Sequence, residues 1–575
     1  MTMTRSAVTY KDVRMSTTAD SRLPRQIADA YVDAYTELDP TAATYLGLRS
    51  GQDRLPDYSP AGLEAVADLA RRTLAELDAC GPVDDDTERR CARLLRERLT
   101  AELAVHEAGE NLRQVNILFS PAHSVRGVFQ MMPTDTDEDW AAIAARLRAV
   151  PAAMAGFRES LAAGLSRRLL AAPRQVDTVV GQLDEWLDES GDSGRSWFAE
   201  LAAGGAEALR DELDAAGAEA TAGMSALRDW LRDVYTPAVA GTPDGVGRER
   251  YARWARYYTG SDLDLDEAYA WGWEEFHRLD AEMRVEAEKV LPGATPLEAL
   301  AHLDTAGQAI EGVDAVQQWL QTLMDEAIAA LDGTHFDLAE PVRRVESRIA
   351  PPGSAAAPYY TAPSLDFSRP GRTWLPTLGE ERFPVWDLVS TWYHEGVPGH
   401  HLQLAQWVLV ADRLSRYQAT LGRVSANLEG WALYAERLMD ELGFLTDPGH
   451  RLGYLNAQML RATRVVLDIG MHLALPIPAH SPFRPGERWT PELGREFFGL
   501  YNGFSAAMLD SELVRYLGIP GQAIGYKLGE RAWLAGRAAA RKAHGDSFDP
   551  KAWHMAALSQ GSLGLDDLVD ELSRL

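Results

Sequence analysis

Apolar residues recur every three or four positions along most of this chain, the pattern of helices with one buried face. The spacing predicts helices over 27–38, 63–77, 89–107, 139–165, 176–187 and 206–235. Thr136 and Asp139 offer N-caps near Trp140, while Pro237, Pro243 and Gly245 end the last of these runs. Further helical runs follow at 265–290, 315–330, 385–393, 401–414, 424–442, 453–473, 491–500, 505–517, 523–544 and 550–575. The predicted fold class is therefore mainly α. One stretch departs from it. Residues 342–383 are rich in Pro and Gly, with β-type pieces at 342–349 and 372–378, and predict a small antiparallel sheet just before the 385–393 helix.

At 575 residues the chain is long enough for a large core. Residues 1–22, rich in Thr and Ser, are expected to be disordered. Two helical lobes, 23–240 and 245–575, would meet at a hinge in 237–247, and one continuous domain fits the pattern equally well. The net charge of −28 argues against nucleic acid and anionic membranes as partners. Cys80 and Cys91 are too few for a disulfide framework, and the N-terminus lacks the apolar run of a signal peptide. These features predict a cytoplasmic protein with no membrane-spanning helix. Oligomeric state is open.

The chemistry concentrates in His394-Glu395-Gly396-Val397-Pro398-Gly399-His400-His401. A His-Glu pair followed by another His is how many zinc hydrolases supply two ligands and a base from one segment. Here Pro398 stands where the usual second histidine would be. In a straight helix, residues six apart diverge by about 120° and lie roughly 9 Å apart along the axis, so His394 and His400 could not share one ion. His401 returns to the same face but lies roughly 10 Å along the axis. Pro398 lacks an N–H and disfavours helix at Val397, and Gly396 and Gly399 tolerate positive φ. The helix should unwind after Glu395 and restart near His400, a bulge that could bring the two histidines together. An ordinary helix–helix turn is the plainer alternative. For a third ligand, Glu429 in Asn427–Glu436 lies 29 residues after His400. Glu436, seven further on, shares its helix face, and a carboxylate on an apolar face needs a partner.

The segments HEGVPGHHLQ and LEGWALYAE resemble the bacterial family called domain of unknown function 885, whose members carry His-Glu-x-x-Pro-Gly-His and are regarded as zinc metallopeptidases. Blocks near Pro40, Tyr251, Pro363 and Tyr526 extend the resemblance from about residue 22 to 575. It implies a helical, metallopeptidase-like fold with one zinc ion in a deep central cleft. It implies His394 and His400 as ligands, in preference to His401, with Glu429 as the third and Glu395 as general base. An oxyanion donor is also needed, for which Tyr526 is the choice and Tyr359 and Tyr360 are rivals. The strand near 372–378 could hold an extended peptide by edge pairing. Arg461 and Arg464 could grip a substrate carboxylate, although a buried ion pair with Asp468 and His472 would explain them too. Glu436, Tyr360 and His401 complete the candidate surroundings. The function expected is zinc-dependent hydrolysis of a peptide or small amide. Alternatives are a non-peptide amidase and an inactive, zinc-stabilised binding protein.

Overall fold

Helix 265–290 shows how closely periodicity tracks the backbone: the structure, a computed structural model, forms Leu265–Val290 with Asp264 as N-cap. Residues 22–188, 190, 194–351 and 357–575 are described; the segment expected to be disordered lies, except for Arg22, outside them. Helix accounts for 66% and strand for 4%. Thr136 caps the Asp137–Ser166 helix, its side chain accepting from the Asp139 N–H while Asp139 accepts in return from the Thr136 N–H.

Where the structure departs from the pattern, turn chemistry or a narrow apolar face is the reason. The run 550–575 divides into Pro550–Leu558 and Leu565–Ser573, with Gly561 between them at a φ of +78°. The run 401–414 stops at Leu409. Residues 121–129, outside the runs that periodicity marks, form a helix, Pro121–Phe129, with proline in its first turn. Helix Arg248–Thr259 escapes the periodicity because its buried face is only Tyr251, Ala255 and Thr259 amid polar residues.

Among the described residues, five short strands form two sheets: β1 (Ala309–Glu311), β2 (Val345–Ile349), β3 (Tyr359–Thr361), β4 (Gly371–Leu375) and β5 (Arg382–Pro384). β1 pairs antiparallel with β5. The other sheet runs β2-β4-β3 and is mixed, not antiparallel as expected. β3 and β4 pair antiparallel, whereas β2 joins the far side of β4 in parallel, Val345 opposite Gly371. The connection from β2 to β4 is long enough to bring the chain back in the same direction. Because β4 is central, both of its backbone edges are used, so it cannot pair with a peptide as expected. The sheet is tied to the motif helix by the Trp392 indole N–H, which donates to Ser347 Oγ at 2.9 Å.

The apolar core has two main parts. One runs from Ile27 and Tyr31 through Trp273, Trp392 and Trp431 to Leu572. The other joins residues between Val115 and Val239, built on the packing of helices Asp137–Ser166 and Arg210–Trp230. Within the first, helices Ser425–Glu441 and Gly525–His544 cross at glycines. A Cβ on Gly430 would lie 2.4 Å from the Gly529 carbonyl carbon, and one on Gly529 would lie 2.0 Å from the Ala426 oxygen.

That contact yields a prediction. Gly430→Ala should destabilise the protein by about 1–3 kcal/mol through overpacking against rigid backbone. Gly181→Ala, in a helix with no atom within 4 Å of the new methyl group, should be neutral or stabilising. Urea midpoints of the two variants check the contrast, and equal midpoints would remove the crossing from the account.

Candidate metal centre

Helix Leu388–Glu395 ends at Gly396, and the next, His400–Leu409, begins four residues beyond it. The intervening backbone is well supplied with partners. Gly396 N–H donates to the Trp392 carbonyl at 2.8 Å, Gly399 N–H to Tyr393 at 3.0 Å, and His401 N–H to Gly396 at 3.1 Å. The Trp431 indole N–H reaches the Pro398 and Gly399 carbonyls at 2.9 and 3.1 Å. The Val397–Pro398 peptide is cis. Both flanking glycines have negative φ, so positive φ is not what they provide. Space is. A Cβ on Gly399 would sit 1.9 Å from the His394 carbonyl oxygen, and one on Gly396 would sit 2.4 Å from Met324 Sδ.

The break turns two histidines six apart toward each other, with ring centroids 4.8 Å apart and planes at 86°. Glu429 faces both: its Oε2 lies 3.5 Å from His394 Nε2 and 3.6 Å from His400 Nε2. One ligand atom from each of the three falls within 4.8 Å of the others, and among the described residues this is the His, Cys, Asp and Glu cluster able to hold a metal ion. Two imidazoles and a carboxylate make a donor set that fits zinc. Behind the set, His394 Nδ1 lies 2.7 Å from Glu436 Oε1, and Ser390 Oγ donates to Glu436 Oε2 at 2.8 Å. The Glu436 contact selects the tautomer with the proton on Nδ1, which directs the Nε2 lone pair at the cluster. Ser390, one turn before His394 on the same face, is a member the sequence reading missed; the i, i+4 spacing was its only signal.

Charge points the same way. Glu395 is 8% and Glu436 1% exposed. Arg461 is the cation that acts on both, and its closest approach to Glu436 is a long 3.8 Å. With both histidines neutral, as metal ligands must be, three carboxylates and one guanidinium leave two negative charges for a divalent cation to balance. Burial disfavours charge on His394, yet hydrogen bonds to Glu429 and Glu436 outweigh it and raise its pKa to about 9. Burial likewise works against ionised Glu429, but the two histidines hold its pKa below the usual carboxylate range. Burial pushes the Glu395 carboxyl upward, with the histidines opposing.

The remaining candidates divide. Tyr526 is half-buried, its pKa raised first by burial and then by the Glu429 charge, and its hydroxyl has no hydrogen-bond partner among the described residues. Arg464 lies over its ring, 4.5 Å from the centroid. This arginine donates to Glu512 Oε2 at 2.7 Å and to the Tyr516 hydroxyl at 2.9 Å, so it braces Tyr526 and is not free to hold substrate with its whole fork. Asp468 accepts from the Tyr251 hydroxyl and the Gly521 N–H, and His472 meets the Tyr516 carbonyl; the expected ion pair of Arg461 and Arg464 with these two is absent among the described residues. His401 is fully buried, with Nδ1 at 2.9 Å from the Tyr360 hydroxyl and Nε2 at 2.7 Å from the Val342 carbonyl. Both ring nitrogens are thus spent on the β-segment, which removes His401 from the site and takes the Tyr360 hydroxyl from the list of oxyanion donors. Lys527, unremarked in the sequence, is a fully buried cation held by Gln458, Glu530 and Glu275.

Fold and site together describe a mainly helical protein with a partly buried His-His-Glu cluster beside a buried glutamate. The chain belongs to the bacterial family of unknown function DUF885, whose sequence profile matches residues 40–572. No curated protein matches it. Among solved structures it is similar to a candidate lipoprotein of Colwellia psychrerythraea, with TM-score 0.80 and 22% identity over 96% of this chain and 98% of that one. It is also similar to a candidate lipoprotein of unknown function from Shewanella oneidensis, with TM-score 0.72 and 18% identity over 96% of this chain and 100% of the other. At these identities the likeness establishes the fold.

A pH prediction follows from His394. In the metal-free protein, the raised pKa stabilises the fold fully below the ordinary histidine value of 6.5, and that contribution is lost as pH rises through about 9. A metal must displace this proton, so zinc added at pH 7 should release about one proton per ion from the site. Zinc titration in an indicator-buffered solution measures this. Proton release near zero at pH 7 would show that His394 does not carry the charge.

Proposed function

We propose that this protein is a zinc-dependent amide hydrolase acting on peptides or small amides. The observation that supports it best is the convergence of His394, His400 and Glu429 with the base candidate Glu395 immediately beside one ligand. A site serving only stability has no use for a buried glutamate left over after the ligands are counted. His394, His400 and Glu429 would hold the ion, one per chain. Bound there, zinc supplies Lewis acidity, lowering the pKa of a water towards about 7 and polarising an amide carbonyl.

The chain's own groups supply the rest. Glu395 takes a proton from the attacking water on its carboxylate and later returns it to the departing amine. Its upward-shifted pKa matches both halves of that task better than an ordinary carboxylate would. Glu436 keeps the proton on His394 Nδ1, and Ser390 keeps Glu436 in place. Tyr526 donates its unpartnered hydroxyl to the oxygen where negative charge develops, with Arg464 stacked on the ring to hold it. Arg461, whose buried Nε has no hydrogen-bond partner, orients the substrate through a carbonyl or carboxylate.

Two substitutions test these roles. Glu395→Gln should abolish hydrolysis of a peptide library while bound zinc stays near one per chain by elemental analysis; retained hydrolysis in this variant, or in chelator-stripped protein, would sink the proposal. Tyr526→Phe should lower kcat by about 10²–10³ with little change in KM, as loss of one oxyanion donor does. An unchanged kcat would reassign that role.

A further inference from the structure

A second cavity lies apart from the metal cluster. Its volume is about 450 Å³, within the size range of small-molecule sites, and none of His394, Glu395, His400, Glu429 or Tyr526 lines it. It sits among helices Pro24–Leu38, Pro60–Cys80, Asp86–Glu107 and Arg248–Thr259. The aromatic residues lining it include Tyr35, Tyr58, Trp254, Tyr257 and Tyr258. The last three form one assembly, Trp254 stacking on Tyr258 at 5.8 Å while Tyr257 meets Tyr258 edge-on at 5.1 Å. Aliphatic side chains of the Pro60–Cys80 helix cover another wall.

The polar groups in the wall have one sign. Asp39, Asp57 and Glu102 line the cavity, and neither lysine nor arginine does. Asp39 is occupied in capping, accepting from the Thr41 and Ala42 N–H groups at 3.0 and 3.1 Å, and Asp57 accepts from the Ser59 N–H at 2.9 Å. Glu102 differs. The Tyr31 hydroxyl is its polar neighbour, and no cation stands within ion-pair distance of it among the described residues. Arg98, whose charge acts on Glu102, is committed elsewhere, donating to Glu97 at 2.7 Å and to the Tyr257 carbonyl at 2.6 Å, with its guanidinium 5.7 Å from the centre of one face of the Tyr257 ring. His106, the remaining basic group of the wall, is bonded to Glu64 at 2.9 Å.

We propose that this cavity binds an organic cation, an ammonium group carried on an apolar or aromatic body, with Glu102 as counter-ion and Tyr257, Tyr258 and Trp254 as the aromatic wall. The faces of these rings are electron-rich and attract a cation, an unpaired carboxylate supplies the full charge, and aliphatic side chains take the body. An anionic ligand would meet three carboxylates, and the wall's basic group, His106, is already bonded to Glu64. The protein's net charge of −28 adds attraction for a cation at long range. Burial raises the Glu102 pKa to about 7, so at pH 8 the carboxylate is charged and ready for a partner.

The test is calorimetric titration at pH 8 of the full chain, zinc-loaded and metal-stripped, with 2-phenylethylammonium, the neutral 2-phenylethanol and the anionic phenylacetate. The ammonium should bind about tenfold or more tighter than the alcohol, with phenylacetate weakest. Glu102→Gln should erase the preference for the ammonium, and Tyr257→Leu should weaken it several-fold. If Glu102→Gln fails to fold, Glu102→Asp, which withdraws the charge by one methylene, should reduce the preference in the same direction. Equal binding of ammonium and alcohol, an unchanged preference in Glu102→Gln, or no binding of the ammonium would overturn the proposal. Affinity that disappears on stripping the metal would also overturn it, because the ligand would then sit at the metal cluster. Affinity retained without metal supports this site whatever becomes of the hydrolase proposal.

Discussion

The geometry of the His-His-Glu cluster depends on how closely Gly399 approaches the end of the preceding helix. Its Cα lies so near the His394 carbonyl that no side chain fits between them, and Gly396 is wedged against Met324 in the same way. The break is therefore a tightly packed feature. Its carbonyls at Pro398 and Gly399 are met by the indole of Trp431, which comes from the helix that also carries Glu429 and Glu436. One helix thus closes the backbone hydrogen bonds of the break and delivers the carboxylates that face the histidines. The arrangement satisfies the requirement that buried polar backbone be paired, and it brings the groups of the site into register.

A second crossing sets the opposite wall. Helix Gly525–His544 meets the Glu429 helix through Gly430 and Gly529 at near-contact of backbones. The residues just before each glycine, Glu429 on one helix and Tyr526 one turn earlier on the other, are thereby held close enough for the glutamate charge to raise the tyrosine pKa. Arg464 and its partners Glu512 and Tyr516 buttress that tyrosine from the side. The centre is thus built from rigid helices whose spacing is fixed by glycine, a suitable foundation for groups that must be held within a fraction of an ångström.

Most helices could be read from periodicity because burial of one face imposes a period of 3.6 wherever that face is broad. It failed at Arg248–Thr259, where three small contact points replace a stripe, and at Pro121–Phe129, where proline reads equally as a loop or as a first turn. Sheet topology was beyond reach: β2, β3 and β4 are too short for their sequences to state which is central. At the site, the His-Glu pair, Pro398, Glu429 and Glu436 all carry local signals. The fate of His401 and Tyr360 does not, since they bond to each other and His401 also meets the Val342 carbonyl, 59 residues earlier.

By itself the sequence determined the helical class, the interruption after Glu395 and the residue types able to bind a metal, because each rests on chemistry within a turn or two of the chain. Tertiary structure alone decided that His394, His400 and Glu429 converge, that His401 turns away, and that the Tyr526 hydroxyl, unlike that of Tyr360, has no partner among the described residues. It alone placed Glu102 beside aromatic rings with no cation within ion-pair distance among the described residues. These outcomes depend on distances between helices far apart in sequence, and those distances are set by the packing of small and large side chains at crossings that no local pattern reveals.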